Sequence, residues 1–154
     1  MIQIHAYDIS APPPDDVIQV LIDAKVSGKT RFLGYSGENR DAEWAIQSGL
    51  FDTLQTSFNL VDQKARYGLF RQAKSEDIGI IAKRSIGNAI WGRTSLVGGS
   101  DGLTGTNLVR FNRAHAMLKQ GPISNGTLDH IVLSLGYVLA SPDVHTAIVG
   151  TRNL

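Results

Sequence analysis

The feature that most constrains this chain is the alternation of short apolar runs with stretches of helical periodicity. Three of the runs end in polar clusters: RFLGYSGEN at 31–39, DTLQTSFN at 52–59 and GIIAKRSIGN at 79–88. Strands that alternate with helices are joined by right-handed crossovers and build a parallel sheet. In such α/β architectures the C-terminal strand ends share one rim, so Ser36, then Gln55 and Asn59, then Lys83 and Arg84 are delivered to one place. The pattern predicts a ligand site assembled strand by strand.

The rest of the chain extends the alternation. Met1 to Ala6 predicts a strand, and Ser10-Ala11-Pro12-Pro13-Pro14 ends it, because that segment suits neither element. Asp15 and Asp16 then open a helix whose apolar positions are Val17, Val20, Leu21 and Ala24, closed by Gly28. A strand at 31–35, a helix at about 40–48 with Ala42, Ala45 and Ile46 on one face, a strand at 51–56, a helix at 63–75 and a strand at 78–82 follow. Beyond a glycine-rich loop at 92–105, helices are expected at 108–119 and 127–139 and a last strand at 144–149. The expectation is a single domain over 1–154, with about five parallel strands and flanking helices, where a closed barrel of this kind has eight.

Strand alternation makes a further expectation. If the polar rim residues face inward, Gln3, Phe32, Thr53 and Ile81 do too, while Ile4, Leu33, Leu54 and Ile80 face the helices. An incomplete barrel would leave Phe32 and Ile81 uncovered and two edges unpaired, which predicts either a homo-oligomer or a flattened sheet covered by its own helices.

Composition excludes several classes. The 42% hydrophobic content of 154 residues supports one core, and a net charge of +1 without a basic block argues against nucleic acid and against an anionic membrane. With no cysteine there is no disulfide or thiolate metal site. The start lacks a leader pattern and no run approaches a membrane span, so a cytoplasmic location is expected. His115, His130 and His145 do not combine with His5 in any metal spacing, and no metal is expected. Gly98 to Gly102 lacks the lysine and hydroxyl of a phosphate-binding P-loop. Trp44 and Trp91 read as packing residues, with Trp91 the better candidate for a site wall because it follows the third polar cluster.

The segment VSGKTRFLGYSGENRDAEWAIQSGLFDTLQTSFNLVDQKA, with GIIAKRSIGNAIWG and VHTAIVGTRNL after it and IQIHAYD before it, resembles the C-terminal part of an aldo/keto reductase, from about its fourth to its eighth strand. The resemblance implies a partial (β/α)8 barrel of TIM type, α/β in class. It implies NADPH as cofactor and carbonyl reduction as the activity. His5 matches the family's active-site histidine, placed to polarise a substrate carbonyl. Ser36 and Gln55 match its carboxamide-binding positions, although Gly37 stands where the family usually has asparagine and Ser36 reads equally as a loop serine bonded to its own backbone. Lys83 stands where many members stack a tyrosine on the nicotinamide and Ser85 where they often have proline; a cation at Lys83 or Arg84 suits a phosphate. Asn59 reads equally as an Asx-type loop anchor. Gly150, Thr151 and Arg152 match a phosphate loop after the last strand, where Arg152 would select a 2′-phosphate.

The family's catalytic aspartate, tyrosine and lysine belong to barrel strands that these 154 residues do not contain. Tyr7 and Tyr35 lack the family's tyrosine motif and are not assigned as the acid. An oxidoreductase homologue with little or no turnover by itself is therefore expected. The alternative is a non-catalytic nucleotide-binding or assembly module that reuses a half-barrel.

Overall fold

The computed structural model describes residues 1–5, 12–92, 105–120 and 129–150. Five parallel strands form one open sheet in sequential order: β1 (Ile2–His5), β2 (Leu33–Ser36), β3 (Thr53–Ser57), β4 (Gly79–Lys83) and β5 (Thr146–Ala147). Helices α1 (Asp15–Val26), α2 (Asn39–Gln47), α3 (Leu69–Ser75), α4 (Gly105–Gln120) and α5 (His130–Leu139) accompany them, with short 3-10 turns at Lys64–Tyr67 and Gly87–Gly92. This is the expected partial barrel, and it arises because each strand is followed by a helix that packs back on the sheet. Among the described residues no helix is long and apolar enough to cross a membrane.

Pleat alternation separates the two faces of the sheet. Ile4, Leu33, Tyr35, Leu54, Ile80 and Ala82 face the helices and are buried with Ala42, Ala45, Ile46, Phe58 and Phe70. The ring of Tyr35 is enclosed by Trp44 and Phe51, with centroids 5.6 and 5.3 Å away. Trp44 is thus a packing residue, as expected. Trp91 is one too: it joins Val61, Ile90, Phe111 and Ala114 in a smaller cluster under α4.

Four local expectations change. The 63–75 segment is two pieces, a 3-10 turn and α3, separated where Gly68 takes an extended φ of 178°. Of the apolar positions expected in α1, Val17 and Val20 remain exposed, while Leu21 packs on the core as expected and Ile18 joins it. That helix buries no residue fully. The last strand spans only Thr146–Ala147, beside Ile81 and Ala82 of β4, with backbone bonds from His145 N to Ile80 O and from Ile148 N to Ala82 O flanking it. Finally Ile81, expected to lie uncovered, is buried at 9% exposure, while Phe32 is 46% exposed as anticipated.

Candidate functional site

The concave face of the sheet is polar, and register explains why. His5, Ser36, Gln55, Ile81 and Thr146 form one row across the five strands, and Ser57 lies opposite Lys83 one row higher. Gln3 and Gly34 belong to the row below. Gly34 is a requirement of this surface, since a Cβ there would fall 2.6 Å from Thr53 Oγ1 and 3.2 Å from Gln3 Oε1. With no side chain on β2 at that point, Gln3 reaches over the strand and donates from Nε2 to Gln55 Oε1 at 3.1 Å.

From Gln55 a chain of contacts continues upward. Gln55 Nε2 donates to Ser36 Oγ at 3.4 Å, and Lys83 Nζ donates to the same oxygen at 3.1 Å. Lys83 Nζ is 3.7 Å from Glu38 Oε1, which also accepts from Ser57 Oγ at 2.7 Å and from Arg84 Nη1. Arg84 Nη1 donates as well to Ser57 Oγ at 3.0 Å. The structure therefore brings Ser36, Gln55, Lys83 and Arg84 into one network. Ser36 is fully buried and the Lys83 side chain is 14% exposed, so this is an interior network with one open side.

Burial and charge set the protonation tendencies. Burial lowers the Lys83 pKa below the ordinary 10.5; Glu38 opposes this, and the guanidinium groups of Arg84 and Arg110 add to it. Burial acts to raise the Glu38 carboxyl, but the Ser57 hydroxyl and the charges of Arg84, Lys83 and Arg110 outweigh it and hold the carboxyl below 4.5. Arg110 is itself buried in a salt bridge to Asp62 at 2.7 Å. The rim thus carries more cationic than anionic groups.

The backbone around Arg84 is fixed from β3. Asn59 Nδ2 donates to Arg84 O at 3.0 Å, and Asn59 Oδ1 accepts from Val61 N at 3.0 Å. Asn59 is the loop anchor of the two readings given above. It holds Arg84 in a left-handed conformation that non-glycine residues seldom adopt.

His5 lies at the end of β1, opposite Ser36 in register and exposed. Gly150 follows β5 and is exposed, while Thr151 and Arg152 lie outside the described residues, as do Tyr7 and the 98–102 loop. Tyr35 turns to the helices, which accounts for its not being a rim residue. His145 sits at the opposite end of the sheet, where its Nδ1 accepts from Ile80 N at 3.0 Å. His115 packs on Phe111 with ring centroids 4.0 Å apart, and His130 stacks on Trp91 at 5.7 Å. Among the described residues no three His, Asp or Glu side chains gather as a metal site.

The sequence reading did not assign Glu38, Gln3 or Ser57 to the site. Strand parity was a usable signal for Gln3 and Ser57, which share the pleat side of Gln55. For Glu38 the signal was weaker, a carboxylate two residues past Ser36. A cleft of about 230 Å3 leads outward from Glu38 and Ser57, between Asn39, Lys64 and Tyr67.

The absence of a side chain at 37 also has a structural cause. A Cβ on Gly37 would meet the Tyr35 ring at 2.5 Å, so an asparagine at this point requires the ring to move.

Comparison with solved structures identifies this fold as a partial aldo-keto reductase barrel. The chain is similar to an aldo-keto reductase from Bacillus halodurans in its apo form, with a TM-score of 0.74 and 18% identity over 97% of this chain and 50% of that one. It is also similar to the glycerol dehydrogenase of Gluconobacter oxydans (TM-score 0.63, 16% identity, 94% of this chain and 47% of that one). A Klebsiella pneumoniae aldo/keto reductase in complex with NADP and acetate matches at 0.60 and 19%, over 96% of this chain and 47% of that one. The chain thus spans about half the length of these relatives. No family model matches the sequence, and no curated protein does.

Proposed function

We propose that this chain carries the nicotinamide-binding side of an aldo/keto reductase-type oxidoreductase site, that it binds NADPH, and that alone it reduces carbonyls little or not at all. The observation that supports this most is the linked set Gln3, Gln55, Ser36 and Lys83 on the concave face of half of this barrel. Gln3 Oε1 is buried without a hydrogen-bond partner, and an unpaired buried acceptor suits the N–H of a carboxamide. Ser36 Oγ accepts twice and retains its own hydrogen to donate.

In this reading Ser36 and Gln55 hold the carboxamide and His5 orients a substrate carbonyl. Lys83, Arg84 and the Gly150, Thr151 and Arg152 loop meet the phosphates, with Arg152 favouring the 2′-phosphate of NADPH. When bound, that cofactor supplies a hydride to the carbonyl carbon. An acid and its orienting partners come from elsewhere, so turnover needs them added. Exposed Phe32 and the free edges of β1 and β5 favour a homo-oligomer that covers the sheet.

Fluorescence titration of NADPH tests the binding; saturable enhancement is expected, and its absence leaves the reading of an assembly module. A simple-aldehyde assay is expected to give no rate above background, and robust reduction would overturn the claim of incompleteness. Sedimentation showing a compact monomer that binds no hydrophobic dye would sink the oligomer.

A further inference from the structure

We infer that Gln3 is a positioning residue that fixes which way the Gln55 amide points, so that the concave face offers hydrogen-bond donors to a carbonyl oxygen of its ligand. The inference rests on the nicotinamide-binding reading above and adds a polarity to it. A glutamine amide has an oxygen that accepts and an NH2 that donates, and turning it over exchanges the two at little steric cost. The direction is set by the partner at each end.

At Gln55 both partners are defined. Gln3 Nε2 donates to Gln55 Oε1 at 3.1 Å, which leaves the Gln55 NH2 facing Ser36, with Nε2 3.4 Å from Oγ. Ser36 Oγ also accepts from Lys83 Nζ at 3.1 Å, and an ammonium only donates, so the serine hydrogen is turned away from both neighbours. Gln3 reaches Gln55 because Gly34 leaves β2 bare beside it: a Cβ there would stand 3.2 Å from Gln3 Oε1. The Thr53 hydroxyl does not compete for Gln3, since its Oγ1 donates to Met1 Sδ at 3.0 Å. What remains for a ligand is the second N–H of half-buried Gln55 and, next to it, the Ser36 O–H. Two neighbouring donors suit one acceptor, the oxygen of the carboxamide.

The protein is titrated by calorimetry with NADPH and with its thionicotinamide analogue, in which sulfur, a weak acceptor, replaces that oxygen and the NH2 is kept. The wild type is expected to bind NADPH about tenfold more tightly than the analogue. Gln3→Glu offers only acceptors at position 3 and so turns the Gln55 amide over; the preference is expected to fall to about twofold or less. Affinity for 2′,5′-ADP, which has no nicotinamide, is expected to be the same in both proteins. An unchanged preference in the variant overturns the inference. The amide direction is read without nucleotide as well. In the free wild type the Gln55 NH2 protons are expected to show nuclear Overhauser contacts to the Ser36 β-protons, and in Gln3→Glu to the side chain at position 3. Contacts from the Gln55 NH2 to Gln3 in the wild type overturn the inference, and this spectrum decides even where the variant fails to fold. Ser36 contacts in a protein that binds no NADPH would remove the nicotinamide reading and leave the positioning of Gln55 standing.

Discussion

The two rims of the sheet each hold a carboxylate beside a lysine, and they use the pair differently. At the N-terminal rim Asp52 accepts from Lys25 Nζ with both oxygens, at 2.8 and 2.7 Å, and from Leu33 N at 2.8 Å. One carboxylate thereby ties α1, the start of β2 and the start of β3 together. At the C-terminal rim Glu38 is shared among Ser57, Arg84 and Lys83, and the cations outnumber it. A carboxylate bonded to its own framework is a fastener; one outnumbered by cations beside an interior lysine is a candidate site.

The comparison can be broken in order of effect. Asp52→Ala orphans the Leu33 amide as well as removing a half-exposed ion pair, and is expected to cost about 2–3 kcal/mol in urea unfolding. A loss no larger than that of an ordinary surface pair would remove the fastener reading. Gly37→Ala presses a methyl into the Tyr35 ring and is expected to cost about 1–2 kcal/mol, with reduced near-UV signal from Tyr35 and Trp44. Glu38→Gln is expected to cost under about 1 kcal/mol, since the amide retains a hydrogen-bonding oxygen for Ser57 and Arg84. Its larger signature is electrostatic: the Lys83 pKa moves further down, because Glu38 favours the ammonium form. If the stability costs of the Asp52 and Glu38 variants were reversed, the roles of the two rims would be reversed.

Acid sharpens the same contrast. Both carboxyls are held below their ordinary values of 3.8 for Asp52 and 4.5 for Glu38. For Asp52, burial works against ionisation, and Lys25 with the Leu33 N–H overcomes it. Groups that ionise more readily when folded contribute stability that is present above the unfolded pKa and drains as pH falls through the folded one. Wild-type stability should therefore fall below about pH 4.5, and Asp52→Asn and Glu38→Gln should each flatten part of that slope. Denaturant midpoints from pH 2 to 6 read this directly.

The strands, their order and the polar rim were legible because each depends on local pattern: period two within a strand and glycine or proline between elements. What escaped depends on partners distant in sequence. Glu38 acquires its role from Ser57, Lys83 and Arg84, which arrive on two other strands. In α1 the periodicity gave Leu21, but only packing on the core adds Ile18 and leaves Val17 and Val20 exposed. The extent of β5 is set by its pairing with Ile81 and Ala82 of β4, more than sixty positions away, and no propensity within 144–149 signals it.

The close approach of Gly37 to the Tyr35 ring ties two letters of the sequence together. A variant given a side chain at 37 while the ring remained would lose packing before it acquired a new contact. The order with least loss exchanges the ring first and fills position 37 afterwards, so the two substitutions are coupled and their sequence matters.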